Sequence, residues 1–174
     1  MSLTHKFKQL NNFHDKNNFY RLYLSSKKIG YVHKYNVENI LLNMRNIKIE
    51  DKKVFLVPKY KKDLNNLMAE ILQKALEKKI IKKPSNELFP CVSFIGAKEY
   101  FELDRALVEM LGIKGYGVHL LAYIRKKKEI KFWIPTRSVN KTIDPNKYDN
   151  TVAGGISSGE NVFDALCREA KEEA

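Results

Sequence analysis

Glu169, Glu172 and Glu173 stand near the end of the chain at i, i+3 and i+4. On a helix that spacing brings three carboxylates to one face, where like charges repel by about 0.2–0.5 kcal/mol per pair. A divalent cation such as Mg²⁺ prefers oxygen ligands and reverses the sign of that term. Arg168, directly before Glu169, can reach a neighbouring carboxylate and fix its orientation, and Glu160 adds a carboxylate upstream. A glycine-rich loop, Gly154-Gly155-Ile156-Ser157-Ser158-Gly159, leads into the stretch. The glutamate spacing alone fits a solvated acidic helix face better than a metal site. The residues around it are what point to chemistry.

Several elements must position these groups. Asn161 is placed to cap a helix, with Asp164 three residues on in a capping-box-like pair. Phe163, Leu166, Cys167, Ala170 and Ala174 recur at helical spacing as an apolar face, with the glutamates on a separate one. Thr151-Val152-Ala153 reads as a short strand entering the loop. Upstream, residues 115–124 and 129–134 are rich in β-forming types and flank Lys126-Lys127-Lys128, which predicts a hairpin. Residues 136–150 form a polar loop.

Gly112 marks a change of style, and a boundary falls near 110–114. Residues 1–112 read as an α+β domain. Leu3, Phe7 and Leu10 offer a weak helical stripe. Residues 19–24 and 29–33 pair as a hairpin about a turn at 25–28. Asn36 caps a short helix to Met44, and residues 54–57 form a strand stopped by Pro58. Asp63 caps the clearest helix, with Leu64, Leu67, Met68, Ile71, Leu72, Ala75 and Leu76 on its buried face. Residues 87–95 are extended around Pro90, and 98–111 read as helix through Tyr100, Leu103, Leu107, Met110 and Leu111.

The chain has 174 residues, 44% of them hydrophobic, enough for a packed core. Its formal charge of +12 is carried by 26 Lys and only 6 Arg, scattered along the sequence. Bidentate phosphate recognition favours Arg, so the excess reads as a compositional habit and argues against nucleic acid as partner. Cys91 and Cys167 lie far apart with no CxxC spacing, and no run reaches 18 apolar residues. The expectation is a cytoplasmic protein with no membrane partner.

The spacing of Gly154, Glu160, Arg168, Glu169, Ala170, Glu172 and Glu173 resembles the Nudix box: glycine, five residues, Glu, seven residues, Arg-Glu, an apolar residue, any residue, Glu-Glu. Gly115-Tyr116-Gly117-Val118-His119, Phe132-Trp133-Ile134-Pro135 with Arg137-Ser138, and Asp149-Asn150-Thr151-Val152-Ala153 resemble a Nudix subfamily. In that subfamily the Nudix domain follows a thiamine-pyrophosphokinase-related (DUF4743) domain. Over 1–112 the resemblance rests on the order of elements and on Glu87-Leu88-Phe89-Pro90. It implies a DUF4743-like α+β domain over 1–112, then over 113–174 the first part of a Nudix α/β/α sandwich with a mixed sheet.

The resemblance also implies function. Expected is a Mg²⁺-dependent hydrolase (Mn²⁺ as substitute) of a small-molecule diphosphate linked to another moiety, such as thiamine diphosphate or its oxidised derivatives, giving the monophosphate. Glu169, Glu172 and Glu173 would hold metal, one of them serving as general base. Glu160 would be an auxiliary ligand and Arg168 would orient a glutamate. The Gly154 carbonyl is a further candidate ligand. Trp133 and Tyr116 could stack on a ring, Trp133 being equally placed to be sheet core. Arg137 could bind phosphate, a plain surface role being equally open to it, and Asn150 could contact substrate or shape the loop. His119 reads as a satisfied strand histidine before a catalyst. Leu121-Ala122, Pro145-Asn146 and Ser157-Ser158 depart from the subfamily's usual Asn-Gly, Pro-Gly and Pro-Ala, which bears on substrate choice. The box and fold should continue past Ala174, so a fragment is expected, or a shortened form acting as a non-catalytic ligand- or protein-binding module.

Overall fold

The computed structural model describes residues 15–140 and 144–173. Leu3, Phe7 and Leu10, and Ala174 of the expected helix face, lie outside them. In chain order the elements are β1 (Phe19–Leu24), β2 (Lys27–His33), α1 (Lys34–Asn36, running on as a π-helical turn Val37–Leu41), β3 (Ile47–Glu50), β4 (Lys53–Leu56), α2 (Lys61–Glu77), β5 (Leu88–Cys91), β6 (Phe101–Asp104), α3 (Arg105–Leu111), β7 (Gly117–Leu120), β8 (Tyr123–Lys126), β9 (Glu129–Phe132), β10 (Val152–Gly155) and α4 (Val162–Glu173). The chain is α+β. It divides into two units, Met1–Asn86 with Leu103–Lys114, and Glu87–Glu102 with Gly115–Ala174.

The first unit holds a four-stranded mixed sheet in the order β2-β1-β4-β3. β1 runs antiparallel to β2 and parallel to β4, and β3 runs antiparallel to β4. Leu22, Val32, Val54 and Leu56 are buried from it, and Leu64, Leu67, Met68, Ile71 and Ala75 are buried from α2. The expected face of α2 is therefore the one that packs. Its N-cap is Tyr60, however, and Asp63 sits at the third helical position, its carboxylate accepting the Tyr60 N–H at 2.9 Å. Similarly, α1 starts at His33, whose ring accepts the Tyr35 N–H, and Asn36 makes no side-chain cap. Strand β3 has no counterpart in the sequence reading, because Ile47 and Ile49 alone give too short a pattern.

Residues 98–111 are not one helix. Phe101–Asp104 is extended and buried, and helix begins only at Arg105. The cause is Asp104, which accepts the Ala106 N–H at 2.8 Å as N-cap and also binds Ser85 N, Ser85 Oγ and Asn86 N. Apolar residues at 101, 103 and 107 satisfy a strand followed by a helix as well as they satisfy a helix. Gly112 ends α3 with a left-handed φ of 58°, which glycine adopts without a Cβ penalty.

In the second unit β7 and β10 pair antiparallel, with Val118 opposite Gly154 and His119 opposite Ala153. Helix α4 packs on this pair, burying Val118, Ile156 and Ala165 with Tyr116 and Leu166 against them. The expected hairpin is present as β8–β9, turning at Lys127 with a φ of 51°. The expected long strand 115–124 is broken at Leu121-Ala122, because the Ala122 N–H turns to the Thr151 hydroxyl at 2.9 Å instead of to a strand partner. β5 also belongs to this unit, and the Ser158 N–H donates to the Leu88 carbonyl at 2.7 Å.

Candidate active site

The glycine loop and the start of α4 fold onto each other through one guanidinium. Asn161 caps α4 as its side chain accepts the N–H groups of Phe163 and Asp164 at 2.9 and 3.0 Å. About two turns later Arg168 reaches back to the loop. Its Nε donates to Glu160 Oε1 at 2.7 Å and its Nη2 to Glu160 Oε2 at 2.9 Å, a bidentate pair. Nη1 donates to Glu169 Oε1 at 2.7 Å, and Nη2 also donates to the Gly155 carbonyl at 2.9 Å. Glu172 Oε1 lies 3.7 Å from Nη1. Glu173 turns away, accepting the Ala153 N–H of β10 at 3.1 Å.

This arrangement explains the burial of α4. The buried positions are Ala165 and Glu169, whereas Phe163 is 70% exposed. The expected apolar face is thus rotated, and Glu169 does not share an open acidic face with Glu172 and Glu173. A carboxylate tolerates burial when its charge is met by a hydrogen-bonded partner, and Arg168 meets it. Gly154 supplies the space: a Cβ there would overlap the Glu169 carboxyl. Across the strand pair, a Cβ on Gly117 would stand 2.8 Å from the Gly154 carbonyl oxygen.

The electrostatics follow from the same contacts. Arg168, then burial in the opposite sense, then the Ser157 N–H set the Glu160 carboxyl, whose pKa lies below the ordinary glutamate value. Glu160 and Glu169 together hold the Arg168 guanidinium more firmly protonated than usual. The donor set offers carboxylate and carbonyl oxygens, the chemistry a hard cation such as Mg²⁺ takes, and so fits that group by ligand type. Among the described residues, no three His, Cys, Asp or Glu side chains are gathered at metal-holding distance.

The other expected site residues fall in two places. Arg137 pairs with Asp149, and Asn150 Nδ2 lies 2.9 Å from His119 Nδ1. Trp133 is 62% exposed, its backbone carbonyl accepting the Thr151 hydroxyl at 2.7 Å. Tyr116 is half-buried against the core under the loop. Residues that the sequence reading did not single out also reach the loop. Ser157 Oγ meets Glu87 at 3.0 Å, Ser158 Oγ meets Glu99 and Glu102 at 2.9 and 3.0 Å, and the Gly159 N–H donates to Glu99 at 3.2 Å. Only the Glu87-Leu88-Phe89-Pro90 segment carried a signal, since contacts between positions 56–70 residues apart leave no local pattern.

A family model described as "Domain of unknown function (DUF4743)" matches residues 2–115. The chain belongs to the DUF4743 family. Among its relatives is "Nudix hydrolase 20, chloroplastic" of Arabidopsis thaliana, 36% identical over 112 residues, which are 64% of this chain and 30% of that protein. "Nudix hydrolase 24, chloroplastic" of the same plant is 35% identical over 107 residues, 62% of this chain and 29% of its own length. A "Nudix hydrolase" of Deinococcus radiodurans is 42% identical over 52 residues, 30% of each chain. The DUF4743 chain is therefore Nudix-related, and it spans about 30% of the length of the curated relatives it matches. No helix among the described residues is long and apolar enough to cross a membrane.

Proposed function

We propose that this chain carries the metal-binding part of a Nudix-type hydrolase that cleaves a diphosphate linked to another moiety, in the cytoplasm. The observation that carries the reading is the single Arg168 fork, which ties Glu160, Glu169 and the Gly155 carbonyl into one array over Gly154. Glu169, Glu172 and Glu173 would hold Mg²⁺ or Mn²⁺, with Glu160 and the Gly154 carbonyl as auxiliary ligands. When bound, the metal supplies charge neutralisation at the phosphoryl group and a water of lowered pKa. Arg168 keeps Glu160 ionised and orients both Glu160 and Glu169. Glu172, exposed at the last turn of α4, is the side chain best placed to accept a proton from a water molecule. Arg137 is proposed to meet phosphate oxygens, Trp133 and Tyr116 to flank a ring, and Asn150 to contact the substrate from the loop. Thiamine diphosphate and its oxidised derivatives are the proposed substrates, with the monophosphate as product.

A second reading, a non-catalytic ligand- or protein-binding module, is favoured by one observation: Glu173 is turned to the Ala153 N–H and away from Glu169. Metal binding separates the two. Titration with Mn²⁺, followed by the paramagnetic resonance of the free ion, is expected to show saturable binding that weakens by about 10–100-fold in Glu169→Gln. Binding that is absent, or indifferent to Glu169→Gln, sinks the hydrolase reading and favours the module.

A further inference from the structure

A recess of about 350 Å³ opens beside the glycine loop, at the small end of the range of ligand sites. One wall comes from residues 90–99, the other from Tyr116, Ile156 and the start of α4. Val92, Ile95, Ile156, Val162 and the ring of Tyr116 give it an apolar lining, and its carboxylate and amide side chains are Glu99, Glu160 and Asn161. The two carboxylates differ. Glu160 is matched by the bidentate Arg168 pair. Glu99 accepts from two neutral donors, Ser158 Oγ at 2.9 Å and the Gly159 N–H at 3.2 Å. The ion pairs made by Arg137 with Asp149 and by Arg168 with Glu160, Glu169 and Glu172 do not include Glu99. Ser158 Oγ has one proton and two carboxylates within reach, since Glu102 Oε2 lies 3.0 Å away. The wall is thus a negative charge set in an apolar surface.

We propose that this recess binds a compact apolar group bearing a positive charge, with Glu99 as its specificity-determining residue. An anionic group is excluded by the same carboxylate, so the recess is no seat for phosphate. Burying the apolar body supplies affinity in proportion to the area removed from water. The charge-assisted bond to Glu99 sets the choice between cation and neutral isostere. Joined to the hydrolase reading, on which this last step rests, the recess would hold the moiety to which the diphosphate is attached.

The test uses probes without phosphate, in buffer without divalent metal, so its outcome is independent of turnover. Benzylammonium, benzyl alcohol and benzoate are titrated near neutral pH into the whole chain, while the methyl resonances of Val92, Ile95, Ile156 and Val162 are followed. Benzylammonium is expected to shift these methyls and saturate, benzyl alcohol to bind about tenfold more weakly, and benzoate to leave them unmoved. In Glu99→Gln the cation should lose that advantage while benzyl alcohol binds as before. Should that variant fail to fold, Ala97→Phe, which narrows the recess, is expected to abolish the benzylammonium shifts. Equal response to all three probes, no methyl shifts, or a cation preference that survives the loss of the Glu99 charge would overturn the assignment. Loss of hydrolysis with these shifts intact would instead count against the reading of the glutamate cluster alone.

Discussion

Replacing Gly154 with alanine should be far more costly than its size suggests. The new Cβ would overlap the Glu169 carboxyl, which is 8% exposed and held in place by Arg168. The carboxyl must leave, and the Arg168 Nη1 bond at 2.7 Å goes with it. A hydrogen bond between charged groups contributes about 1.5–3 kcal/mol. Because Arg168 is nearly one-third exposed, the low end applies. Overpacking of the loop adds about 1–2 kcal/mol, giving a loss of about 3 kcal/mol for Gly154→Ala. The assay is urea unfolding followed by the fluorescence of Trp133, the sole tryptophan, which lies in the same unit. The decisive comparison is a double-mutant cycle. If the clash is the cause, Glu169→Ala should relieve it, and Gly154→Ala in that background should cost less by about 2 kcal/mol. Additive effects of the two substitutions would refute the reasoning.

Other consequences are as direct. Glu160 has its folded pKa held below the ordinary value, first by Arg168. Its contribution to stability is therefore present above about pH 4.3, the ordinary glutamate range, and is lost as pH falls through the folded value. Arg168→Met should flatten the acid limb of a stability–pH profile, and an unchanged limb would contradict the assignment. Asp104→Asn removes a carboxylate that serves Ser85, Asn86 and Ala106, and should destabilise the first unit by about 2–3 kcal/mol in urea unfolding. Burial pushes the Cys91 thiol up to about 12. Iodoacetamide followed by mass spectrometry should therefore mark Cys167 before Cys91 in the folded chain.

The elements that the sequence announced are those whose signal is local. β1 and α2 were legible because alternation over 19–24 and the i, i+3, i+4 stripe from Leu64 to Leu76 are complete within each segment. The first half of 98–111 was misread because a strand and a helix in series can share one apolar spacing, and the arbiter, Asp104, acts through Ser85 and Asn86 nearly twenty residues back. In α4 the extent of the helix and its Asn161 cap were readable. The rotation of its buried face was not, since periodicity assigns Phe163 inward and Glu169 outward, whereas the structure buries Glu169 against Gly154 under Arg168. Burial of a paired carboxylate cannot be seen from hydropathy. The contribution of Glu99 and Glu102 to the loop was equally invisible, because residues 87–102 join the second unit across a gap in sequence that composition does not mark.

The central claim, that the glutamates after the glycine loop serve diphosphate hydrolysis, is tested most directly by phosphorus NMR of thiamine diphosphate incubated with the whole chain. The account predicts Mg²⁺-dependent appearance of the monophosphate, slowed by about a hundredfold or more in Glu172→Gln. No monophosphate with Mg²⁺ present, or a rate indifferent to Glu172→Gln, would contradict it.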